Sequence, residues 1–136
     1  MDWQECLRKR IVKNTSIDSH KITSILEISK EKLKVALLLE DKHYYGKLPL
    51  LYETLRELLE CLALQHRYKI YNHECYTAFL KEIMHESSLG DSFDKFRILR
   101  NGINYYGKKI TFEEAQEIMI QMIEFIKKIE QKLVLK

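Results

Sequence analysis

The segment Arg100-Asn101-Gly102-Ile103-Asn104-Tyr105-Tyr106-Gly107 gathers a guanidinium, two carboxamides and two phenols in one short stretch. An arginine presents a planar fork of donors suited to a phosphate. A tyrosine ring can stack on a base, and its hydroxyl can donate a hydrogen bond. These groups act together only if one face carries them. A 3.6-residue period runs from Phe96 through Leu99 and Ile103 to Tyr106, which sets Arg97, Arg100, Asn101 and Asn104 on the opposite side of a helix. Gly107 can take the left-handed conformation that ends a helix, so Tyr105 falls in the last turn and Lys108 and Lys109 lie just beyond it.

The remaining chain must position this helix. Trp3 to about Lys13 reads as a short first helix with a basic run, Arg8-Lys9-Arg10, that can touch phosphate or simply face water. Asn14 to Ser19 is rich in capping residues, and a second helix is expected from Asp18 or Ser19 to about Leu39. Near its end Val35, Leu38 and Leu39 widen the apolar stripe, which implies burial on two sides, in a bundle or against a second copy. Asp41 to Leu48, with His43, Tyr44 and Tyr45, reads as a loop before a third helix from Pro49 to about Gln65. Leu51, Leu55, Leu58, Leu59 and Leu62 make that helix the most apolar, and it is placed at the centre. Its preceding tyrosines can stack on a base or cover the end of the core.

His66 to Tyr71 reads as a break, and Asn72 as the cap of a fourth helix running to Met84 with Tyr76, Phe79, Leu80 and Ile83 buried. Met84 to Asp91 reads as a flexible connection. Thr111 and Glu114 have capping-box spacing, with Ile110 and Ala115 as the staple, and open a last helix. Ala115, Ile118, Met119, Met122, Ile126, Ile129 and Leu133 share its apolar face. The fold class expected is all-α, an antiparallel bundle of five or six helices in a single domain, 1–136.

One proline and four glycines in 136 residues disfavour long loops, and the composition argues against strands. The net charge of +3 leaves a nucleic-acid function to rest on local clustering, since 20 acidic groups oppose 23 basic ones. Cys6, Cys61 and Cys75 match neither a disulfide scaffold nor a zinc knuckle and read as free thiols in a reducing cytoplasm. No signal peptide is expected in the charged stretch Met1 to Arg10, and no spanning helix anywhere, so no membrane role is expected. His73 and Cys75, two apart on a helix, point in different directions and cannot readily share a metal ion. The lone histidines His20, His43, His66, His73 and His85 read as surface or locally bonded side chains.

Arg100-Asn101, a short spacer and an aromatic residue resemble the signature of the HEPN superfamily, the higher eukaryotes and prokaryotes nucleotide-binding domains. In its ribonucleases the signature is an arginine, a polar residue and a histidine four to six residues after the arginine. Arg100 and Asn101 match the first two, and Tyr105 stands where the histidine would. The run from Leu48 to Leu80, with Arg56 and Tyr68 to Glu74, is also similar to small prokaryotic members.

The resemblance implies a helical homodimer whose two Arg100 side chains line one cleft, with Lys108 and Lys109 at its rim. It implies RNA or a nucleotide as ligand, no cofactor, and a place in a prokaryotic defence or toxin-antitoxin system, in some cases paired with a nucleotidyltransferase antitoxin that modifies a tyrosine near the signature. Arg100, Asn101 and Tyr105 would be the catalytic set of a metal-independent ribonuclease, and Arg97, Asn104, Tyr106, Lys108 and Lys109 the binding set. A phenol ordinarily titrates near about 10 and is a poor base at neutral pH, so the match favours binding over turnover. In a third reading the polar cluster is structural, with Arg100, Asn101 and Asn104 bonding one another in a non-catalytic interaction domain.

Overall fold

The structure, a computed structural model, describes residues 1–133; residues 134–136 of the expected domain lie outside the described residues. It is an all-α helical bundle. Among the described residues six α-helices, α1 (Trp3–Arg8), α2 (Ser19–Leu38), α3 (Tyr44–Gln65), α4 (Glu74–Ala78), α5 (Ser87–Tyr106) and α6 (Phe112–Lys132), are accompanied by one two-stranded ladder, β1 (Val12–Asn14) with β2 (Tyr68–Ile70). Helix α3 packs against α2, α6 and α5, and all five expected seam leucines are buried. Among the described residues no helix is long and apolar enough to cross a membrane.

The strands correct the expectation from composition. Helix α1 stops at Arg8, not Lys13, because Arg10 turns left-handed with φ 58° and directs the chain into a strand. Arg67 does the same at φ 67° after α3. Val12 then pairs antiparallel with Ile70 and Asn14 with Tyr68. Val12 is buried while Lys13 and Asn14 are exposed, so the short ladder covers one edge of the core. Arg8, Lys9 and Arg10 are all solvated.

Three helix boundaries differ for identifiable reasons. Helix α3 begins at Tyr44, five residues before Pro49, which sits inside the helix. The buried Lys47 anchors that early turn, its Nζ donating to the Leu39 carbonyl and to Asp41 Oδ1, each at 2.9 Å. Tyr44 and Tyr45 both donate to the Ile110 carbonyl, at 3.1 and 3.3 Å, so they cover the end of the core. Helix α4 gives way after Ala78 to a π-helical segment, Phe79–Ile83. The connection before α5 is only Met84 to Glu86, and Gly90 lies within α5, where a Cβ would stand 2.6 Å from Lys81 Cγ. A close approach, not a loop, requires that glycine.

Helix α2 is covered on one side only: Ile22, Ser29 and Ala36 are buried, while Val35, Leu37 and Leu38 are exposed. Within this chain it is an outer helix. Cys6 and Cys75 form a disulfide that pins α1 to the first turn of α4, which corrects the free-thiol reading for both; Cys61 is free and buried. Spacing along the chain carried no sign that these helices meet. The Met1 ammonium on Glu74 at 3.3 Å and the Trp3 amide donating to Glu82 at 2.7 Å reinforce the same clip.

Candidate functional site

Helix α5 ends as its sequence dictates: Gly107 adopts φ 63°, and the Lys108 amide closes onto the Gly102 carbonyl at 2.9 Å. Upstream of that end three arginines meet at the corner of α3, α4 and α5, and they are held differently. Arg97 donates from Nη2 and Nε to Asp94 Oδ1 at 2.7 and 3.3 Å, and Thr77 of α4 donates to the same oxygen at 3.5 Å. Arg56 of α3 lies between Glu53 and Glu60 at 3.4 and 3.5 Å.

Arg100 has a different environment. Its Nη1 donates to Asn101 Oδ1 at 3.3 Å and to the Tyr105 hydroxyl at 3.2 Å, and its guanidinium carbon lies 5.3 Å from the centroids of both the Tyr52 and Tyr105 rings. Among the described residues it forms no ion pair. Two aromatic faces hold a cation that no carboxylate neutralises.

The floor of this corner comes from outside α5. Tyr52, in the third helix, is 1% exposed and stacks on Phe93, and its hydroxyl is 2.9 Å from His73 Nδ1. Burial pushes the Tyr52 phenol up to about 12, against the pull of Arg100, Arg97 and Arg56. Burial first, then the positive charges of Arg56, Arg100 and Arg97, hold the His73 imidazole down to about 4, with Glu53 acting the other way. At neutral pH the corner therefore contains an uncharged imidazole, an uncharged phenol and an unneutralised guanidinium.

Of the expected site residues, Arg100, Asn101 and Tyr105 come together. Asn104 lines, with Arg100, a narrow crevice between α3 and α5 floored by Leu48, Pro49, Leu99, Ile103 and Met122. Arg97 faces the same corner but is engaged by Asp94. Tyr106 is 84% exposed, which corrects its place on the core face of the helix; the break at Gly107 leaves nothing to pack against it. Lys109 is exposed, and Lys108 folds against Gly102 toward another groove, about 520 Å³, between α5 and α6, lined by Asp91, Lys95, Ile98 and Glu114 among others.

His73 and Tyr52 are the residues sequence reasoning missed. A sign of them was present: a phenol inside the leucine seam of α3 needs a partner for its hydroxyl, and a partner must then come from a neighbouring helix. Nothing local identified it as His73. Among the described residues no group of three or more His, Cys, Asp or Glu side chains is arranged to hold a metal ion. In comparisons with known proteins no family model matches the chain, and no curated protein or solved structure matches it.

Proposed function

We propose that this chain is an HEPN-like module that binds RNA or a nucleotide through phosphate, acting as a homodimer in a prokaryotic defence or toxin-antitoxin system, with a nucleotidyltransferase antitoxin as a partner class. The observation that carries the reading is Arg100, a half-buried guanidinium between two tyrosine rings with no carboxylate on it among the described residues. Such a cation is pre-oriented and available to an anion, whereas Arg56 and Arg97 would first have to give up their acidic partners. Asn101 and Asn104 add donors beside it, and the exposed Tyr105 offers a ring on which a base can stack.

Binding is preferred to cleavage because Tyr105 occupies the signature position of the proton-transferring histidine. Gel-shift and cleavage assays on a mixed RNA pool test this. Wild type should retain RNA, and Arg100→Ala should weaken retention about tenfold or more, as loss of a charge-assisted phosphate contact implies. Cleavage that appears only with Tyr105→His would mark a degenerate ribonuclease. Equal retention by wild type and Arg100→Ala would remove the nucleic-acid reading. The second reading, a non-catalytic interaction domain, draws on the exposed Val35, Leu37 and Leu38 of α2. Sedimentation as a monomer at micromolar concentration would count against a homodimer in either reading.

A further inference from the structure

We infer that the outer face of α2 docks a second copy of this chain, the two α2 helices pairing antiparallel about a two-fold axis that passes between Lys30 and Glu31. This inference rests on the homodimer of the reading above and names the surface that forms it.

A helix on the outside of a bundle ordinarily keeps charged and polar groups on its solvent side. Helix α2 does so only in part. Ile22, Ser29 and Ala36 are buried, whereas Ile28, Val35 and Leu38 are 50%, 47% and 84% exposed. Their positions along the helix put these three in one stripe, and Ser24 and Glu31 complete it with the alternating spacing of a helix-pairing seam.

Charge then selects the occupant. Glu27 and Lys34 are both exposed and border the same edge of the stripe. They stand two turns apart, about 10 Å along the axis, too far to pair within one helix. Reversing a second α2 about the stated axis brings Glu27 level with the second copy's Lys34, and by symmetry Lys34 level with its Glu27. The same register sets Ile28 beside Val35 of the second copy and gives Leu38 the small Ser24 to pack on. Among the described residues Glu27 forms no ion pair, so it gains a partner without giving one up. A parallel pair would draw Glu27 toward Lys32 instead, and Lys32 is already held by the buried Glu57 at 3.1 Å. The exposed Glu27 and Glu31 also disfavour an anionic lipid surface as the occupant. One penalty remains in this register: the two Glu31 carboxylates approach each other at the axis, each 3.5 Å from the Lys34 of its own helix.

The pairing face lies wholly on α2, while the crevice beside Arg100 is lined from α3, α5 and α6. Each copy therefore keeps a crevice of its own, and the dimer carries two of them.

The test is sedimentation equilibrium of the full-length protein over a concentration series, with circular dichroism to confirm that each variant keeps its helix content. Wild type should be mostly dimeric at about 50 μM. Val35→Glu should weaken the dimer at least about tenfold, since it places a charge in the seam of both helices. Lys34→Glu sets two acids against Glu27 across the interface and should weaken it about tenfold, while the double variant Glu27→Lys/Lys34→Glu should return to within about threefold of wild type. That rescue can come only from across the two copies. Glu31→Leu should tighten the dimer about tenfold, because it removes the repulsion at the axis and extends the apolar stripe. A dimer that none of these variants moves would overturn this inference and leave the homodimer to another face. A double variant as weak as Lys34→Glu would overturn the antiparallel register. A wild type that stays monomeric throughout the series would overturn both this inference and the homodimer, and would leave the α2 face to a different protein; retention of RNA through Arg100 is read separately by gel shift.

Discussion

The seam between α3 and α6 and the corner between α3, α4 and α5 are built by the same central helix, yet they treat their side chains in opposite ways. In the seam, Leu55, Leu59, Leu62, Met122, Ile126 and Ile129 are each at most 1% exposed. At the corner, α3 places Tyr52 and Arg56 among two further arginines and a histidine, with one guanidinium left unmatched. Hydrophobic burial makes the seam tolerant of sequence as long as volume is kept. The corner has no such latitude, because each polar group there is defined by a particular neighbour. One face of a helix holds the fold while the other floors a guanidinium that has no carboxylate on it among the described residues.

That contrast can be broken in order of expected effect. Leu55→Ala, which opens a cavity in the seam, should cost about 3 kcal/mol in urea unfolding, whereas Arg100→Ala should change stability by less than about 0.5 kcal/mol while weakening RNA retention about tenfold or more. Similar stability losses for the two would mean that Arg100 is structural. Removing the cap of the last helix comes next. Thr111 accepts from the Glu114 amide at 3.1 Å and Glu114 accepts from the Thr111 amide at 3.2 Å, so Thr111→Ala should cost about 1 kcal/mol without touching ligand binding.

The finest test uses acid. The folded His73 titrates at about 4 against 6.5 for an ordinary imidazole, so between those values the unfolded chain takes up a proton that the folded chain refuses. The stability that His73 contributes is fully present above about 6.5 and declines as pH falls toward 4. His73→Gln should flatten this part of the profile, measured as the change in urea midpoint between pH 7 and pH 5. A wild-type midpoint with no greater acid dependence than His73→Gln would place the imidazole in ordinary solvent.

What could be read from the sequence was local. Asp18 caps α2, Thr111 and Glu114 box α6, and Gly107 terminates α5, because each signal acts within one turn of the residues it organises. The leucines of α3 placed that helix at the centre for a similar reason: their period is complete within it. The features that escaped depend on pairs far apart in the chain. Val12 needs Ile70 to become a strand, Cys6 needs Cys75, and Pro49 tolerates a helix because Lys47 ties the turn before it to Leu39 and Asp41. The candidate site divides along the same line. Arg100, Asn101 and Tyr105 are neighbours on one helix and could be grouped from their spacing, while Tyr52 and His73 join them only through the packing of three helices.

The disulfide divides the molecule topologically as well. The Cys6–Cys75 bond spans a separation of 69 positions and makes a covalent ring of everything between, with Tyr52 and His73 inside it and Arg100 on the linear tail beyond. A protease that nicks the exposed stretch from Ser16 to Ser19 opens the ring without releasing a fragment, so the nicked chain migrates as one species until a reductant splits it. After that cut Tyr52, His73 and Arg100 all stay on one fragment, and a single reducible bond decides whether α1 and β1 stay attached to it.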